Sequence, residues 1–216
     1  MEDQGLDAEA TLRRELLLAF HVLDMEGLDS GIAGHLTARL PGAEAFWCHS
    51  HGLGFGEVGA RDLNRADLAL NRLEGRGRIG PSLSIHAAIY RARPDVACIV
   101  HAHDESAVAL TATGAELEPL YQSALLLANH GTLVAGASVR EAVHVAVMLS
   151  AACRIQLRAM AAAPGRRLHA VDAATAAEAR SFLLSARVLG MRWDHYARRA
   201  LAARPGLIAE LSALRG

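Results

Sequence analysis

Hydrophobic positions along this chain change their period several times, and each change marks an expected element. Between Asp7 and Met25, Leu12, Leu16, Leu17, Phe20 and Leu23 recur at helical spacing. That predicts an amphipathic helix capped by Asp7 and stopped by Gly27. The Gly-rich stretch Gly31-Ile32-Ala33-Gly34 leads into His35-Leu36-Thr37-Ala38-Arg39, which alternates as a strand does. Ala45 to Cys48 reads as its hairpin partner across the Pro41-Gly42 turn, Phe55 to Val58 as a further short strand, and Ala60 to Leu68 as a charged turn or helix. Ser82 to Arg93 predicts a helix whose apolar stripe is Ile85, Ala88, Ile89 and Ala92, ended by Pro94.

The run from Cys98 to His103 reads as a buried strand. Asp104 is placed to cap a helix from Glu105 to Thr111, and two short strands, 125–129 and 132–135, flank His130-Gly131. Ser138-Val139-Arg140-Glu141 is a capping box opening a long helix to about Ala162, before Pro164-Gly165. Helices over 173–189 and 194–203 follow, and Pro205 starts a tail. The order of elements implies a single α/β domain over 1–216, core about 10–203, with a central mixed or antiparallel sheet and helices on its faces.

Composition removes some function classes. The formal net charge of −1 offers no electrostatic footprint for nucleic acid or an acidic membrane surface. The apolar run Ala142 to Cys153 is too short to span a bilayer. Cys48, Cys98 and Cys153 are odd in number and widely spaced, which suggests buried thiols in a reducing compartment. With no apolar leader after Met1, the expected location is cytoplasmic.

The chemistry concentrates at the end of the Cys98–His103 strand. His101 and His103 are two apart, so a strand presents both imidazoles on one face. His130, after the apolar Leu125-Leu126-Leu127, is a candidate third ligand. Three histidines with an open fourth position is the pattern of a catalytic divalent-metal site. An HxH pair alone is common, so the reading rests on the position at a strand end. His21 and His144, on apolar helix faces, read as core or interface residues. Trp193 and Tyr196 read as packing, or as part of a C-terminal segment covering a neighbouring subunit's site.

Five ordered segments resemble the class II aldolase/adducin family: Gly31 to Arg39, His86 to Val96, Val100 to His103, Asn129 to Gly131, and Ser138 to Ala142. The resemblance covers roughly residues 10 to 160. It implies a mostly antiparallel nine-stranded sheet flanked by helices, and homotetramers with sites at subunit interfaces. It also implies a divalent metal, zinc first with manganese or iron as alternatives, on His101, His103 and His130. Family activities include sugar-phosphate aldol cleavage, epimerisation and decarboxylation, and adducin's head domain is non-catalytic.

This chain departs from the sugar-phosphate enzymes at several positions. Ser82 stands four residues before His86, where they carry an acidic residue, and these two are the candidate catalytic positions. Gly80 and Pro81 replace two phosphate-site serines, His51-Gly52 replaces a Thr-Gly pair, and His35 replaces an asparagine. Gly34, His35, His51 and Gly52 are thus the expected substrate-binding residues. A protonated imidazole at His35 or His51 would suit a carboxylate better than a phosphate. The segment between His103 and Asn129 is shorter than usual for the family. The expected function is a metal-dependent carbon–carbon lyase, of aldolase or decarboxylase type, acting on a small non-phosphorylated oxygenated or carboxylate substrate. The alternatives are an adducin-like binding module and an iron-dependent oxygenase on the same fold.

Overall fold

The structure, a computed structural model, describes residues 2–117 and 124–214. Its centre is a seven-stranded antiparallel sheet in the order β4-β3-β2-β1-β5-β7-β6. The strands are β1 (His35–Ala38), β2 (Ala45–His49), β3 (Leu63–Asp67), β4 (Arg72–Glu74), β5 (Cys98–Ala102), β6 (Ala124–Leu127) and β7 (Gly131–Gly136). The helices are α1 (Glu2–Met25), α2 (Ser84–Ala92), α3 (Glu105–Ala112), α4 (Val139–Ala162), α5 (Ala173–Leu183), α6 (Ala186–Ala203) and α7 (Leu207–Ala213).

Seven strands among the described residues, against nine expected, trace partly to the segment after β2. Phe55–Glu57 and Ala60–Asp62 are 3₁₀ turns rather than strand or helix, each closed by an acidic side chain reaching back to a glycine N–H: Glu57 to Gly54 and Asp62 to Gly59. The charged stretch that follows forms β3, burying Asn64 and Ala66 at alternate positions on one face and Leu63 on the other.

Period-two alternation splits the sheet into two faces. Leu36 and Ala38 of β1, Cys98, Val100 and Ala102 of β5 and Val134 of β7 join one large core. That core also takes Leu16, Phe20 and Leu23 of α1, Val139, Ala142, Val143 and Ala146 of α4, and Trp193, Tyr196 and Ala200 of α6. The opposite face carries a smaller core of Phe46, Cys48, Ala66, Ile99 and Leu133, covered by Leu83 just before α2 and by Ala87 and Tyr90 within it. The α2 stripe differs from the expected one. Ile85 and Ala88 face solvent, and His86, Ala87 and Tyr90 face the sheet. The helix turns its polar-tipped aromatics inward because the sheet offers Thr37 as their partner.

Ser138 caps α4 by accepting from Glu141 N–H, and Asp104 caps α3 by accepting from Ser106 N–H, as their sequence positions predict. By length and composition alone α4 could cross a membrane. Here it packs on α1, α3, α6 and the sheet. Three further boundaries differ. The first helix begins at Glu2, upstream of Asp7. The late helices divide at Leu184 and Ser185, whose side chain caps α6. The segment after Pro205 is helical, with Leu207 buried in the large core.

Candidate metal centre

Backbone pairing assembles three imidazoles at one end of the sheet. In β5 the pairs His101↔Leu133 and Ala102↔Thr132 bring the β6–β7 turn beside the strand end. His130 sits in that turn, after Asn129 at φ +54°, a conformation asparagine tolerates better than most residues. Gly131 is required sterically, since a Cβ there would lie 2.3 Å from the Ala102 carbonyl oxygen. His101 Nδ1–H donates to the Thr132 carbonyl at 2.9 Å. That bond fixes the tautomer and leaves the Nε2 lone pair free. The His103 backbone N–H donates to Ser30 Oγ at 2.8 Å.

The Nε2 atoms of His101 and His103 lie 3.1 Å apart, and those of His103 and His130 3.2 Å. Metal–nitrogen bonds of about 2.0–2.1 Å in tetrahedral geometry place neighbouring nitrogens about 3.4 Å apart. The observed spacing is therefore close to that of a ligand set, and the three ligand atoms all fall within 4.8 Å of one another. Among the described residues no carboxylate belongs to the cluster. Burial pushes His101 down to about 4, opposed by its bond to Thr132 and reinforced by His103 and His130. Burial and then His130 lower His103. Both effects favour the neutral, metal-ligating imidazole.

Beside this cluster lies a second polar group. His35 pairs with His101 across β1–β5, and the two rings stack at 4.7 Å and 26°. Burial and the neighbouring imidazoles, His101 first, push His35 down to about 3. This overturns the expectation of a cationic anchor at His35: the same closeness that places it at the site keeps it neutral. His86 is fully buried and cannot touch a substrate. It reaches the site through His35, whose Nδ1 is 3.4 Å from its Nε2. Its Nδ1 is 2.8 Å from Thr37 Oγ1, which is 2.8 Å from the Tyr90 hydroxyl. Arg39 locks α2 to the sheet, donating to the carbonyls of Val96, Tyr90, Arg93 and Ala43, with its guanidinium 4.3 Å over the Tyr90 ring.

The other expected site residues are placed variously. Ser82 is exposed in the 3₁₀ turn Pro81–Leu83 before α2, and no hydrogen bond joins it to the histidines among the described residues. His51 is exposed, stands over Gly80 (a Cβ there would be 3.3 Å from its Nδ1), and contributes to the field at His35. Gly52 has φ +99°, which favours glycine on backbone grounds. Gly34 is buried, and a Cβ there would meet the Phe55 ring at 2.8 Å, so its small size serves packing. His21 is structural: its Nε2–H donates to the Val58 carbonyl at 2.9 Å and its Nδ1 accepts from Arg204. Trp193 and Tyr196 are packed in the large core. Thr37, Tyr90, Thr132 and Ser30 were not expected at the site. Two of them had a signal in spacing, Thr37 at i+2 from His35 on a strand and Tyr90 at i+4 from His86 on a helix.

The family model for the Class II Aldolase and Adducin N-terminal domain matches residues 14–124 and 114–157. The chain belongs to this family. The class II aldolase match spans His101, His103 and His130, and ends before α5. An L-fuculose 1-phosphate aldolase from Glaciozyma antarctica superposes with a TM-score of 0.81 at 26% identity, covering 93% of each chain. An aldolase II superfamily protein from Pseudomonas syringae superposes with a TM-score of 0.81 at 22% identity, covering 91% of this chain and 94% of its own, which shows the fold. In sequence the chain is 29% identical over 205 residues to a Caulobacter vibrioides protein named for aldolase class 2, covering 78% of this chain and 80% of that protein. It is 30% identical over 196 residues to alpha-adducin of Rattus norvegicus, covering 73% of this chain but 27% of the adducin.

Proposed function

We propose that this chain is a divalent-metal-dependent carbon–carbon lyase acting on a small oxygenated or carboxylate substrate without a phosphate. The observation that carries the reading is the convergence of the His101, His103 and His130 Nε2 atoms at near-ligand spacing. Three imidazoles that leave a fourth position to substrate or water would suit zinc, and manganese or iron fit the same donors. A cation held by His101, His103 and His130 would supply Lewis-acid stabilisation of negative charge on a substrate oxygen, which both aldol cleavage and decarboxylation require.

The protein's own groups shape the choice of substrate. Gly80 and Pro81 offer no hydroxyl, and proline no N–H, where the sugar-phosphate relatives' serines align. His35 is held neutral, which removes a cation from the pocket and with it a partner for a phosphate dianion. Ser82, exposed and unaided, is no general base near neutral pH. Decarboxylation fits this set best, because carbon dioxide leaves without prior proton abstraction.

Exposed Ile155, Phe182, Met191 and Ile208 on α4, α5, α6 and α7 support self-association, which we read as a homotetramer. Buried free thiols at Cys48, Cys98 and Cys153 support a reducing, cytoplasmic setting. The test is metal analysis of protein purified without added metal, followed by a screen of 2-hydroxy and aromatic carboxylic acids alongside sugar phosphates. Stoichiometric metal with turnover of a carboxylate is the expected result. Metal-free protein without turnover favours the binding-module reading that the adducin likeness supports. Oxygen consumption during turnover points to an oxygenase.

A further inference from the structure

The buried polar group under α2 has a direction. Tyr90, Thr37, His86 and His35 form a chain of contacts at 2.8, 2.8 and 3.4 Å, in that order. Tyr90 is 2% exposed, Thr37 and His86 are 0%, so water does not serve them. Among the described residues the Tyr90 hydroxyl has Thr37 as its hydrogen-bond partner and no second acceptor. A buried hydroxyl proton left without an acceptor is costly, so Tyr90 O–H donates to Thr37 Oγ1. The Thr37 hydroxyl carries one proton, and it then goes to His86 Nδ1. His86 accepts at Nδ1, so its own proton is on Nε2, and that N–H donates to His35 Nδ1. His35 accepts at Nδ1, so its proton is on Nε2. The reverse order fails at its end. A proton on His86 Nδ1 would turn the Thr37 hydroxyl towards Tyr90, whose proton would then have no acceptor. A second proton on either ring leads to the same failure.

We infer that Tyr90, Thr37 and His86 are a directed hydrogen-bond relay that fixes His35 in the Nε2–H tautomer, making it a donor to a substrate oxygen beside the three-histidine cluster. The stacked placement of His35 on His101 sets that donor next to the metal ligands. His35 Nε2 has no hydrogen-bond partner among the described residues, and the ring is half-buried, so the donor remains available. A site ending in an uncharged N–H selects an acceptor oxygen, carbonyl, hydroxyl or carboxylate, and gains nothing from a phosphate dianion beyond one hydrogen bond. Thr37 and His86 are positioning residues, each acting through the next, and Tyr90 donates to the other side of the Thr37 oxygen. The use of His35 as a substrate donor rests on the proposed lyase reading. The relay itself does not.

The test is long-range ¹H–¹⁵N correlation spectroscopy of the imidazole nitrogens in the zinc-loaded, full-length protein at neutral pH, without substrate. Wild type should show His86 and His35 each as a single neutral tautomer protonated at Nε2. A proton on Nδ1 of either ring, or a doubly protonated ring, overturns the relay. Tyr90→Phe deletes one hydroxyl and keeps the ring, so it preserves packing. The Thr37 hydroxyl should then still donate to His86 Nδ1, and both rings should stay protonated at Nε2. Thr37→Val removes that donor and should mix the tautomers of His86 and, through it, His35, and Thr37→Ser, which restores the hydroxyl, should return the wild-type pattern. Mixed tautomers in Tyr90→Phe, or unchanged tautomers in a folded Thr37→Val, overturn the proposal; if Thr37→Val does not fold, the wild-type and Tyr90→Phe spectra decide. Loss of zinc from the wild type would instead count against the metal site, and the same spectra of the metal-free protein would still read the relay.

Discussion

The two faces of the sheet are built by opposite rules. On the face under α1, α4 and α6, strand side chains such as Leu36, Val100 and Val134 meet apolar helix positions, and its stability comes from excluded water and close packing. On the face under α2, the same strands present Thr37, His35 and His101, and the covering helix answers with His86 and Tyr90. The first face tolerates changes that keep volume. The second depends on protons being in the right places, since among the described residues the Tyr90, Thr37 and His86 protons have one acceptor each in the chain that leads to His35. The lesson is that one strand, read at odd and even positions, can hold a core on one side and a site on the other. The core side makes the site side rigid enough to keep three nitrogens at ligand spacing.

This contrast can be broken in order of effect. Phe20→Ala, deep in the large core, should destabilise by about 3–5 kcal/mol, read as a lowered denaturant midpoint, while protein that remains folded keeps its metal. Loss of metal at full stability would mean the faces are not separable. His101→Ala combined with His103→Ala should remove stoichiometric metal with the fold retained by circular dichroism. Full occupancy in the double variant would eliminate the proposed ligand set.

Thr37→Val should cost about 1–3 kcal/mol despite its conserved volume, because His86 Nδ1 and the Tyr90 hydroxyl lose their shared partner. A neutral result would mean that α2 relaxes to satisfy them. Acid should act on the same groups. His35, His49 and His101 are lowered to about 3, 4 and 4 from 6.5 by burial. The unfolded chain therefore binds more protons than the folded one between those values, and stability rises with pH across the window. Metal-free protein should hold its full stability above about 6.5 and lose it progressively towards pH 4. Denaturant midpoints that stay flat from pH 7 to 5 would contradict this. The smallest effect is expected at exposed His51, where His51→Ala should raise KM more than it lowers kcat for whichever carboxylate is turned over.

Much of this was legible in the chain itself. The cap at Ser138, the break at Pro94, the hairpin across Pro41-Gly42 and the alternation around His101 are local statements, and backbone geometry enforces them wherever they occur. His101 and His103 on one face follow from period two alone. His130 was a candidate from its place after an apolar run, and the family resemblance reinforced it, but its position beside the other two depends on the β5–β7 register.

What only tertiary structure decided was the partner of each polar side chain. The apolar count along α2 favoured Ile85 and Ala88 as the buried stripe, but the helix buried His86 and Tyr90 because Thr37 waited on the strand below. The charge of His35 was likewise undecided by its identity. An isolated imidazole near neutral pH stands close to its midpoint, and stacking on His101 with burial made it neutral. Periodicity fixes which face a residue occupies, whereas protonation and tautomer are set by atoms that arrive from elsewhere in the chain.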